Sequence, residues 1–122
     1  MRFFPKKLQT TPLAYMMDIM EFIETPIFTR LLMDLLSDDE HAGLQHLLAE
    51  NAERGDIIKG GGGIRKVRYA LAGKGKSGGV RAIYYWLKDN QQIYMLLISP
   101  KSKKDSLTER EVAVLRKLVK EL

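Results

Sequence analysis

The run from Gly60 to Lys101, GGGGIRKVRYALAGKGKSGGVRAIYYWLKDNQQIYMLLISPK, constrains the fold more than any other part of the chain. After four glycines come β-branched and aromatic runs at 64–71, 80–87 and 93–99, separated by short polar connections. Such residues suit a pleated, half-buried surface. Successive strands on short connections pair antiparallel, because a parallel pair needs a crossover of about a dozen residues or more. Asp89-Asn90 supplies turn formers for the last hairpin. The run 93–98 is apolar almost throughout, which predicts the most buried strand.

Charge is as unevenly distributed as hydrophobicity. No Asp or Glu lies between Ile57 and Lys88, whereas that span holds Lys59, Arg65, Lys66, Arg68, Lys74, Lys76, Arg81 and Lys88. The net +5 combines +3 from Arg2, Lys6 and Lys7 in 1–16, −8 from ten acids against Arg30 and Arg54 in 17–56, and +10 from fifteen bases against five acids in 57–122. Uncompensated cations on a compact sheet create a field that attracts polyanions, and an acidic half followed by a basic half points to a nucleic-acid surface. The alternative for such a stretch is a solvated basic face with no ligand.

Before the glycines the pattern is mixed. Residues 1–16 show no period, are interrupted by Pro5 and Pro12, and are expected to be a poorly ordered or peripheral extension; Met16 and Met17 are both possible starts. Residues 18–24 read as a first strand. Thr25-Pro26 reads as an N-cap with proline at the first helical position, followed by Ile27, Phe28, Leu31, Leu32, Leu35 and Leu36 at helical spacing. Ser37 to Glu40 fits a capping box that opens a second helix, over about 38–51, which buries Leu44, Leu47 and Leu48 and stops at Gly55. Its His41 and His46 are expected at the surface or boundary. Ile57-Ile58 suits a short strand or bridge. Ser106 to Glu109 suggests another capping box and a C-terminal helix burying Leu107, Val112, Leu115, Val119 and Leu122.

The expected fold is therefore a single α+β domain over 17–122. It has a sheet of about four strands, antiparallel but mixed at the N-terminal strand, with an N-terminal helix pair and a C-terminal helix covering one face. Alternation along the strands sets Lys66, Arg68, Arg81 and Tyr85 on an open face, opposite Val67, Tyr69, Ala82, Tyr84 and Trp86. By this count Arg65 falls on the buried side and must reach a helix carboxylate or the sheet edge.

The chain has no cysteine, which excludes disulfides and Cys-based metal or nucleophile chemistry and agrees with a reducing cytoplasm. No His, Asp and Glu spacing suggests a metal site, and no small-molecule cofactor is expected. No apolar run approaches the ~18 residues a membrane span needs. Residues 70–77, ALAGKGKS, resemble a P-loop superficially, but Gly78-Gly79 and a strand follow where that motif needs a helix N-terminus. A long hairpin loop whose lysines touch phosphate is the better reading. Gly60–Gly63 suits either a phosphate nest or, more simply, a backbone bend at a sheet edge.

Residues 62–68, GGIRKVR, resemble the GG-hydrophobic-RK-hydrophobic-R signature of HigB-type toxins in the RelE/ParE superfamily. Residues 73–85, GKGKSGGVRAIYY, resemble the second signature of that group, and 22–28, FIETPIF, its usual strand-to-helix opening. The resemblance covers about 17–122. It implies the toxin of a type II toxin–antitoxin pair, a ribosome-dependent endoribonuclease that cuts mRNA in the A site. The partners it implies are the ribosome, A-site mRNA and a cognate antitoxin with a helix-turn-helix domain. By the same resemblance Lys66, Arg68 and Arg81 match the catalytic basic positions, and Lys101 and Lys103 stand where a basic residue follows the last strand. With Lys74, Lys76 and Tyr85, these two would bind RNA. RelE carries a catalytic tyrosine near its C-terminus, whereas no tyrosine follows Tyr94 here, which leaves the general base unassigned. The rival readings are a ParE-like gyrase inhibitor and a non-catalytic nucleic-acid-binding module.

Overall fold

The computed structural model describes residues 20–71, 78–101 and 106–122. Along the chain these form β1 (Glu21–Glu24), α1 (Pro26–Leu35), α2 (Asp38–Glu50), β2 (Asp56–Ile57), β3 (Ile64–Tyr69), β4 (Val80–Leu87), β5 (Gln92–Pro100) and α3 (Glu109–Val119), with a 3-10 turn at Lys88–Asn90. The class is the expected α+β, and the sheet order is β1-β5-β4-β3-β2. β1 runs parallel to β5, and all other pairs are antiparallel. The sheet has five strands rather than about four, because Asp56 and Ile57 pair with Lys66 and Arg65 as an edge strand. The sequence pattern sets this short strand or bridge at Ile57-Ile58, one residue later than the structure has it.

Caps fix where the helices start. The Thr25 hydroxyl accepts from the Phe28 N–H at 3.1 Å, ahead of Pro26. Ser37 and Glu40 form the expected reciprocal box at α2. At α3 the box is Thr108 with Glu111, not Ser106 with Glu109. Both pairs fit the same spacing. The observed register sets apolar Leu107 and Val112 at the two staple positions, where the alternative would set Asp105 and Arg110.

Helices cover both faces of the sheet, which corrects the expectation of one. Phe28, Leu32, Leu44 and Leu48 from α1 and α2 meet Phe22, Val67, Ala82, Tyr84, Ile93, Met95 and Ile98 on one face. α3 lays Leu115, Leu118 and Val119 on the other, against Ile64, Ile83, Tyr94 and Leu96. The central strands are apolar on both sides, and an uncovered second face would leave that area in water. Leu118, rather than Val112, completes the stripe; Val112 is half-buried.

The register shifts where Ile83 faces Leu97 but Tyr84 faces Met95, so Leu96 is the extra residue of a β-bulge. The bulge lets Met95 and Ile98 both face the helix pair while Leu96 joins the opposite core. The buried Thr25 hydroxyl donates to the Leu96 carbonyl at 2.9 Å, tying the cap of α1 to this irregularity. Nearby, the Tyr84 hydroxyl donates to Ala52 O at 2.7 Å and accepts from Gly55 N at 2.9 Å, which fastens the α2–β2 connection to the sheet. Gly55 has no room for a side chain, since a Cβ would lie 2.8 Å from the Tyr84 ring and 2.9 Å from the Lys66 carbonyl oxygen.

Candidate functional site

β3 and β4 pair with Arg68 opposite Arg81 and Lys66 opposite Ile83. Alternation therefore sets Lys66, Arg68 and Arg81 on one face, the one α3 partly covers. Arg68 and Arg81 stand directly opposite one another, which sets two positive charges side by side on neighbouring strands. A groove of about 630 Å³ lies at this end of the sheet, lined by Lys66, Arg81, Ile83, Leu97 and Ser99 from the strands, Asp56 and Ile58 from the β2 edge, and Ser106, Leu107 and Glu111 from the approach to α3.

Arg81 is buried, at 5% exposure, which corrects the expectation of an arginine on an open face. β4 is a central strand, and Lys101, the residue just after β5, continues the β4–β5 pairing: Lys101 N donates to Gly79 O at 2.9 Å, and Arg81 Nη2 donates to the Lys101 carbonyl at 3.3 Å. A guanidinium so placed is held by backbone, and in a low-dielectric setting it acts on an anion more strongly than it would in water. Lys66 is half-buried in the same groove, whereas Arg68 is exposed beside it and outside the lining.

The structure separates other residues that the sequence grouped. Tyr85 is half-buried in the apolar cluster under α3, four positions along β4 from Arg81, or roughly 13 Å at strand rise. Its ring lies against Gly63, whose φ of 111° suits glycine and whose missing Cβ would sit 3.0 Å from it. Gly60 and Gly62 also have positive φ, and Arg116 Nη1 donates to Gly60 O at 3.4 Å, so the glycine run turns the chain between β2 and β3 and docks on α3. Lys101 is half-buried and joins Arg81 through its backbone. Lys74, Lys76 and Lys103 lie outside the described residues.

Arg65 meets carbonyls rather than a carboxylate: its Nη1 donates to Glu53 O at 3.0 Å and Gly55 O at 2.8 Å. His46 is exposed beside Glu50 at 3.2 Å, as a surface histidine, but His41 is buried with its Nε2 3.0 Å from Glu24 Oε2. Thr29 Oγ1 donates to Glu24 Oε1 at 2.6 Å, so this cluster belongs to the helix-pair core.

Asp56, Ser99, Ser106 and Glu111 were not read as site residues from sequence, yet all line the groove. Ser99 faces Arg81 across β4–β5, and Asp56 faces Lys66 across β2–β3. Glu111 Oε1 accepts from Thr108 N at 2.8 Å, so the same side chain closes the capping box of α3. The groove thus holds carboxylates although the sequence between Ile57 and Lys88 has none. Among the described residues no group of three or more His, Asp or Glu is placed to hold a metal ion, and no helix is long and apolar enough to cross a membrane.

A family model described as "RelE toxin of RelE / RelB toxin-antitoxin system" matches residues 33–122. The fold is similar to that of a solved structure of E. coli toxin RelE, a mutant with two arginines changed to alanine, in the free state. The identity is 13%, the match covers 83% of this chain and 95% of that one, and the TM-score is 0.52. At that identity the likeness concerns the fold.

Proposed function

The chain belongs to the RelE family of toxins from toxin–antitoxin systems, and on that footing we propose that it is a ribosome-dependent endoribonuclease that cuts mRNA in the A site. The observation that carries this reading is the convergence of Lys66, buried Arg81 and Glu111 on one groove. Cleavage of this kind has a 2′-hydroxyl attack the adjacent phosphate and expel the 5′-oxygen. One group must take a proton, another must give one, and the extra negative charge must be stabilised. Arg81, with Arg68 at the flank, supplies fixed positive charge. Glu111 is a carboxylate able to take the 2′-proton, and Lys66 an ammonium able to protonate the leaving oxygen. This pair fills the place left by the absent C-terminal tyrosine. Few acid–base groups suffice when the ribosome positions the substrate.

The two glycine-rich signatures support a HigB-like subgroup, a cognate antitoxin with a helix-turn-helix domain, and a cytoplasmic site of action. Lys74, Lys76, Lys101 and Lys103 are proposed phosphate contacts. Primer extension on translated mRNA is the test. Cuts within codons that vanish with Lys66→Ala are the expected outcome. Growth arrest with intact mRNA and poisoned gyrase would replace this reading with a ParE-like one, and binding with neither effect would reduce it to a nucleic-acid module.

A further inference from the structure

The groove is larger than a phosphate requires, and its remaining wall is not polar. Lys66 and Arg81 stand with Ile58, Leu97 and Leu107, all three half-buried and thus still presenting apolar surface, while Asp56 is exposed and faces Lys66 across the strand pair. A volume of about 630 Å³ exceeds what one phosphate fills and falls within the ~300–1,000 Å³ range of sites that enclose a whole small ligand. Cations beside an aliphatic slot match the two ends of a nucleotide, anionic phosphate and flat apolar base. No aromatic side chain lines the groove among the described residues, so the base would be held between aliphatic groups rather than stacked on a ring.

We propose that this slot is a nucleobase subsite, in which Ile58, Leu97 and Leu107 enclose the base flanking the phosphate held by Lys66 and Arg81, and Asp56 accepts a hydrogen bond from the exocyclic amino group of that base. The inference rests on the ribonuclease reading and deepens it. A carboxylate only accepts hydrogen bonds. Adenine, cytosine and guanine each carry an amino group to donate. Uracil carries a carbonyl oxygen where cytosine carries its amino group, and that oxygen is repelled by the carboxylate. Asp56 is therefore a specificity-determining residue that selects against uracil beside the cut.

The experiment is single-turnover cleavage on purified ribosomes with mRNAs that differ only at that base: adenine, cytosine, guanine, uracil, or an abasic site. With wild-type protein the abasic and uracil substrates should each be cut about tenfold to a hundredfold more slowly than the other three, the range of one well-placed base contact. Asp56→Asn, an exposed change that spares the core, should narrow the uracil gap to a few-fold, since the amide donates as well as accepts. Leu107→Ala should narrow the abasic gap. An abasic substrate cut at the full rate would overturn the subsite. So would an order of the four bases unchanged in Asp56→Asn. Failure of wild-type protein to cut any of the five would instead overturn the ribonuclease reading, and the subsite with it.

Discussion

Arg81 at 5% exposure does two jobs that an arginine on an open sheet would not combine. Its guanidinium faces the proposed phosphate site, and its stem fills space on a central strand. Arg81→Ala is expected to slow single-turnover cleavage on the order of 10²–10³. It should also cost roughly 1–3 kcal/mol of stability in urea melts, because it empties a packed position. A variant as stable and as fast as wild type would refute both roles. Which face Arg81 occupies was legible from alternation, but its burial was not, since that depends on groups distant in sequence that meet on this face, the Lys101 carbonyl among them. Tyr84 gives a second test at this scale. Burial raises its phenol above the ordinary 10.0, outweighing the Gly55 N–H bond that pulls it down. The folded state thus retains the proton more tightly than the unfolded chain. Stability from the neutral phenol is complete below pH 10 and is lost as pH climbs from there through the folded value. Tyr84→Phe should flatten that alkaline decline while lowering neutral-pH stability by about 1–3 kcal/mol, as Ala52 O and Gly55 N lose a partner. Tyr94, raised by burial and by Glu21, leaves a residual slope.

Among the elements, α3 separates what local sequence specifies from what it does not. Its apolar spacing was readable, but sequence alone sets the cap at Ser106, two residues before the Thr108 that serves, and nothing local said which face of the sheet it would cover. That choice belongs to β4 and β5, whose apolar residues on both sides demand two covers. Thr108→Ala should cost about 1 kcal/mol, whereas Ser106→Ala, off the cap, should change stability little. Equal losses in denaturant melts would return the cap to Ser106. Glu111→Gln preserves an acceptor for the Thr108 N–H but not a proton acceptor. It should therefore keep the helix and its melting temperature while slowing cleavage and removing the acidic limb of the pH–rate profile. An unchanged profile would remove Glu111 from proton transfer.

At the scale of the molecule, residues 17–56, net −8, include the helix pair, and residues 57–122, net +10, supply most of the groove, so charge is unequally divided over the fold. This polarity was fully visible in sequence. Association with ribosomes should slow as salt rises from low to physiological ionic strength, because exposed charges are screened over about 8–10 Å. A salt-independent association rate would leave the charge asymmetry without that role. We also propose that 17–122 is the functional domain. Expression of that segment alone should arrest bacterial growth, and a soluble but harmless 17–122 beside a toxic 1–122 would assign a role to the first sixteen residues.

β5 lies between β1 and β4, although it is the last strand in chain order among the described residues. During synthesis β1 emerges first and has no neighbour to pair with until residues 92–100 have left the exit tunnel. Lys101, whose carbonyl holds Arg81, and the α3 wall of the groove follow later still. A ribosome translating this message is therefore expected to carry a chain that has no assembled groove until β5 and α3 have emerged. Pulse proteolysis of stalled nascent chains should show protection only once β5 is outside. The order of strands would act as a timer, delaying the toxin beyond the ribosome that makes it.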